Sequence, residues 1–149
     1  MDISNINFER IILPFEASPN TATPSVEVSG KDLTLSYTTN SDEIEIGKLL
    51  FSDCLLYRVG SPNDEGFYGF GSNPKIRNDS IYYKKNFPDL DFYEFYVVTG
   101  YDWKNNQLIG ENKWILDSEY SQKEGYTHYI FFMKDGTFEC VAKDFRIVS

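Results

Sequence analysis

Apolar and polar residues alternate with period two along much of this chain. Residues 25–29, SVEVS, set Val26 and Val28 against polar neighbours. Residues 32–39 place Leu33, Leu35 and Tyr37 on one face, and residues 43–51 offer Ile44 and Ile46. This spacing predicts short strands joined by tight turns at Ser29-Gly30-Lys31 and Asn40-Ser41-Asp42. Residues 53–59, DCLLYRV, are a continuous apolar run, which predicts a strand buried on both faces or one continuing its predecessor. Further strands are expected over residues 80–85, 91–103 and 112–117, of which 91–103 is densest in aromatic and β-branched residues. Residues 118–125 read as one helical turn or a loop, and the last two strands flank Asp135-Gly136. No apolar stripe of period 3.6 is sustained, and no fixed-period repeat occurs. The expected fold is all-β, an antiparallel β-sandwich or a partly closed barrel with little helix.

The length of 149 residues suits one domain with one buried core. Residues 16–25 are linker-like, but the stretch before them is too short for a separate domain. Residues 60–79 form a long loop punctuated by Gly60, Pro62, Gly66, Gly69, Gly71 and Pro74. The 17% aromatic content fits pleated surfaces, where flat rings pack well.

The net charge of −9 disfavours nucleic acid and anionic membrane surfaces as partners and favours a basic protein. The only early apolar run is Ile11-Ile12-Leu13, too short for a signal-peptide core. The expectation is therefore a cytoplasmic chain with Cys54 and Cys140 as reduced thiols. Two cysteines and one histidine do not build a four-ligand zinc site without carboxylates, and no cofactor is expected.

Candidate binding residues fall in two places. Glycines 66, 69 and 71 do not form a phosphate loop, because Pro74 follows where a helix would have to start. Their neighbours Asp64, Glu65, Phe67, Tyr68 and Phe70 make an acidic, aromatic loop able to bind a partner. The second place is Asp89, Asp91, Tyr93 and Glu94, where acids and rings interleave. In a strand there, Asp91, Tyr93, Phe95 and Val97 lie on one face, and Phe92, Glu94, Tyr96 and Val98 on the other. An exposed Tyr beside a carboxylate suits a basic protein surface.

Catalysis by a nucleophile–base pair would need His128, the only histidine. Its partner would be a cysteine, and the hairpin at Asp135-Gly136 tests Cys140. A two-residue turn there pairs Lys134 with Thr137 and Phe131 with Cys140. Tyr129, Phe131, Met133, Phe138, Cys140 and Ala142 then share an apolar face. His128 falls on the other face, with Lys134, Glu139 and Lys143, at the surface or rim. A three-residue loop with a glycine bulge would instead put His128 and Cys140 diagonally on one face. The first register partitions the residues more cleanly, and neither makes a good dyad, so no catalytic residue is assigned.

Residues 126–145, YTHYIFFMKDGTFECVAKDF, together with residues 48–60, KLLFSDCLLYRVG, resemble patterns in small acidic β-rich bacterial proteins of the immunity type. Such proteins neutralise a cognate toxin by binding it. The resemblance implies a cytosolic, non-catalytic inhibitor without a cofactor, whose acidic surface occludes a basic active site. The alternative is a small-molecule or carbohydrate-binding β-sandwich that stacks ligand on the aromatics of residues 66–71.

Overall fold

The computed structural model describes residues 7–18, 24–41, 46–60, 89–91, 94–99, 125–133 and 136–148. Among them are nine strands: β1 (Asn7–Ile11), β2 (Ser25–Ser29), β3 (Asp32–Thr38), β4 (Ile46–Ser52), β5 (Leu56–Gly60), β6 (Phe95–Thr99), β7 (Thr127–Met133), β8 (Gly136–Ala142) and β9 (Asp144–Val148). All pairings are antiparallel, and the described residues include no helix. The strands form a five-stranded sheet in the order β1-β6-β7-β8-β5 and a four-stranded sheet in the order β2-β3-β4-β9. The two sheets make a β-sandwich, not a closed barrel.

The period-two residues of β3 point as the alternation requires, but in β4 Ile46 is exposed and the opposite parity faces the core, while Ile44 lies outside the described residues. Leu33, Leu35 and Tyr37 are buried, as are Gly47, Leu49 and Phe51, while their neighbours are partly or fully exposed. Gly30, with φ of 62°, stands first in the two-residue turn closing β2 on β3. Positive φ at that position is what a type II′ hairpin turn demands.

Inward-facing rings fill the space between the sheets. Phe51 lies with its centroid 5.3 Å from Tyr129 and from Phe138, and 6.0 Å from Phe95. Tyr37 meets Phe131 edge-on at 5.1 Å. Such edge and offset contacts add to the burial of the rings themselves. Phe131, Met133, Phe138 and Cys140 are all buried in this core, as the hairpin's pattern predicts.

The hairpin register differs from both expected forms. Met133 pairs with Gly136, Phe131 with Phe138 and Tyr129 with Cys140. This is a shift of two from the Asp135-Gly136 turn. An even shift keeps every side chain on its face, so the apolar face stands as expected while the individual pairs change.

The outer face of the five-stranded sheet overturns a second expectation. His128 is fully buried, not a surface or rim residue, and so are Ile130, Phe132, Thr137 and Glu139. Strands β7 and β8 are thus buried on both faces, the environment in which strict alternation disappears.

Chain segments 46–60 and 136–148 pair along their length in both sheets. β4 pairs with β9 and β5 with β8, so the two segments form one ribbon bent at Asp53 and Lys143. Asp53 turns the corner in the left-handed region, with φ of 47°, a conformation that Asp tolerates better than most residues. Its amide donates to Asp32 Oδ1 at 3.1 Å, and its carboxylate accepts from the Tyr126 hydroxyl at 2.9 Å. Lys143 N–H donates to the Ser52 carbonyl at 2.9 Å, and Cys54 N–H to the Lys31 carbonyl at 2.7 Å. Residues that switch sheets through a bend are how packed sheets make corners. The run 53–59 is therefore neither a strand buried on both faces nor a continuation of β4: β5 starts only at Leu56, belongs to the other sheet, and as its edge strand leaves Tyr57 and Val59 exposed.

Candidate functional site

An outer strand of the five-stranded sheet, β1, builds the main site with the residues preceding β6. Register sets Arg10 opposite Tyr96. The guanidinium lies 5.8 Å from the Tyr96 ring centroid, and Arg10 Nη2 reaches the tyrosine hydroxyl at 3.4 Å. The same nitrogen forms an ion pair with Asp91. Asp91 is fixed in turn by its own amide, which donates to the Tyr96 hydroxyl at 2.8 Å. The hydrogen bond to Tyr96, then that to Asp91, push the Arg10 guanidinium further above its already high range. Its charge is held at Asp91 and Tyr96, and Arg10 Nε is 4.0 Å from Glu94 Oε2.

Residues 12–16 leave β1 and cross toward the other sheet. The Tyr37 hydroxyl donates to the Phe15 carbonyl at 2.9 Å, Asn40 N–H donates to the Glu16 carbonyl at 2.9 Å, and Ala17 bridges to Thr39. Burial pushes the Tyr37 phenol up to about 12. Between this crossing segment and the sheet lies a cavity of about 140 Å³. Its walls are Ile12, Leu13, Phe15, Phe95 and Phe131, and its polar lining is Arg10, Glu16 and Glu94. Desolvation raises the Glu94 carboxyl above the usual range; Arg10 opposes this, and the charge on Glu16 adds to it.

The predicted binding residues divide as follows. Asp89 and Asp91 are exposed, Leu90 between them is buried, and Glu94 is half-buried. The structure brings Asp91 and Glu94 together at Arg10. Tyr96 is buried and serves as the platform for this cluster, not as an exposed contact residue. Asp64, Glu65, Phe67, Tyr68, Phe70 and Tyr93 lie outside the described residues. Sequence reasoning missed Arg10, Phe15 and Glu16, because β1 offers only Phe8 and Ile11 as apolar markers and passes for a loop.

A second polar cluster lies on the buried outer face of β5, β8 and β7. His128 Nε2 is 2.6 Å from Glu139 Oε1, and both side chains have no exposed surface. The contact is short, but its angle falls outside good hydrogen-bond geometry. Arg58 stands opposite Glu139 in the ladder. Among the described residues, Arg58 Nη1 and Glu139 Oε2 are buried without hydrogen-bond partners.

Cys140 points to the other face, into the core, so the sheet separates it from His128. Its neighbour there is Cys54, and both are free thiols. A hydrogen bond from Cys140 holds the Cys54 thiol below its ordinary range, and burial pushes Cys140 well above it. Cys54 Sγ also contacts the Leu56 carbonyl at 3.2 Å.

Among the described residues no three His, Cys, Asp or Glu side chains are grouped to hold a metal ion, and no helix is long and apolar enough to cross a membrane. Comparison with protein-family models, curated proteins and solved structures found no match to this chain.

Proposed function

We propose that this chain is a non-catalytic binding protein that captures a basic protein partner, in the manner of an immunity protein occluding a toxin's active site. The observation that carries this reading is the cavity beside β1. Its carboxylates, Glu16 and Glu94, stand against aromatic walls, while Arg10 is committed to Asp91 and Tyr96. An acidic, partly apolar concavity on a chain of net charge −9 complements a basic surface. The long-range field speeds capture, and the apolar walls slow release.

The test is affinity capture from the native host, followed by association kinetics at increasing ionic strength. The expected partner is basic, and its association slows roughly tenfold or more as salt rises. An acidic partner, or association indifferent to salt, would sink the reading.

A further inference from the structure

We infer that the cavity beside Glu94 receives a single lysine side chain of the partner. This rests on the basic-partner reading above and names the group that enters the site.

Size restricts the occupant. A cavity of about 140 Å³ is well below the roughly 300–1,000 Å³ of sites for whole small-molecule ligands. It matches one long side chain. Chemistry restricts it further. Phe95 and Phe131, almost wholly buried, form the inner wall, and Phe15 and Leu13 extend the apolar lining. The carboxylates come from separate elements: Glu16 from the crossing segment and Glu94 from the residue before β6. An occupant must therefore carry an apolar stem and a cationic tip. Lysine does this, laying its methylenes along apolar surface while the ammonium turns to the acids.

Charge on the cavity is unbalanced in the direction that calls for a cation. Glu16 makes no ion pair among the described residues, and Glu94 has only the 4.0 Å approach of Arg10 Nε. The charge on Glu16 raises the cost of ionising Glu94, and a cation between the two relieves it.

Lysine fits better than arginine for a geometric reason. A guanidinium is a planar fork that pairs best with one carboxylate in two parallel bonds. An ammonium is a compact charge with three rotatable donors, suited to two carboxylates on different elements. The guanidinium already present, Arg10, is occupied by Asp91 and Tyr96. Ile12, 79% exposed at the cavity's edge, gives the partner's neighbouring residues an apolar contact.

The experiment is an amide-detected NMR titration of the full chain with N-acetyl-lysine methylamide, beside its norleucine and arginine counterparts. Saturable shifts are expected at Arg10–Glu16 and Glu94–Phe95 with the lysine compound. Norleucine should bind about tenfold more weakly, as should lysine to a Glu16→Gln/Glu94→Gln double variant, since a charge-assisted bond contributes on that order. Glu27→Gln, on exposed β2, should leave binding unchanged. The inference is overturned if no saturable shifts appear, if norleucine binds equally, or if arginine binds at least as tightly. If the captured partner shows steep salt dependence but these titrations fail, the lysine assignment falls and the basic-partner reading stands. If lysine binds but the captured partner is acidic, the broader reading falls instead.

Discussion

His128 and Glu139 face each other with no water-accessible surface, an arrangement that leaves either one exposed to a large penalty if the other is removed. His128→Leu strands a buried carboxylate, already short of a donor at Oε2. The expected loss is about 3–5 kcal/mol, read from urea denaturation. The double variant His128→Leu/Glu139→Leu should recover most of it, because two apolar groups need no partners. A neutral single variant would show that the pair is not electrostatically coupled. The burial of His128 was partly legible in the sequence. Its neighbours on the same face, Ile130 and Phe132, are apolar, and so is Val141, its partner across the ladder. A largely apolar row around a histidine signals a second buried face. What concealed it was the assumption that a sheet presents only one.

At the scale of elements, β3 and β4 are joined by a fit that depends on a missing side chain. Gly47 pairs with Tyr37, and a Cβ placed at Gly47 would lie 2.6 Å from the Tyr37 Cζ. The ring is also tied down, by its hydroxyl to the Phe15 carbonyl and by packing on Phe131. Gly47→Ala should therefore destabilise by about 1–3 kcal/mol, as overpacking does, despite alanine's ordinary backbone preferences. Chemical denaturation measures it, and an alanine variant as stable as the parent would mean that the ring moves freely. Other element features were unevenly legible. Sidedness in the β7–β8 hairpin followed from alternation, but register did not, since a period-two pattern is unchanged by an even slip. Strands β1 and β9 escaped notice because both are edge strands that are at most half-buried.

For the whole molecule, the tyrosines of the core set an alkaline limit. Burial raises Tyr37 and Tyr129 to about 12 from an ordinary 10.0. Between those values the unfolded chain has released the two protons and the folded chain still holds them. Stability is then full below pH 10.0 and falls as pH rises toward about 12. Thermal melts across that window should show a falling midpoint, smaller in Tyr37→Phe and Tyr129→Phe. A midpoint flat to pH 12 would contradict the burial of these phenols.

The sandwich class was readable from many short alternating runs and their turns. The sheet order was not, because pairs such as β1–β6 and β5–β8 join residues far apart in sequence, and local patterns carry no record of them. Of the cavity's polar lining, only Glu94 was legible, as an acid among rings. Glu16 and Phe15 enter the cavity only because the chain crosses between sheets at that point.

The ribbon bent at Asp53 and Lys143 also governs how the protein opens. The two sheets are joined through the same two chain segments and share one ring core, Phe51 on Tyr129 and Phe138, so losing either sheet uncovers the inner face of the other. Partial opening that frees one sheet alone therefore has no low-energy route. Hydrogen–deuterium exchange should give the ladder amides of β4 and β8 the same protection free energy, equal to that of global unfolding. Faster exchange in one of the two would show that the corner yields before the sheets do.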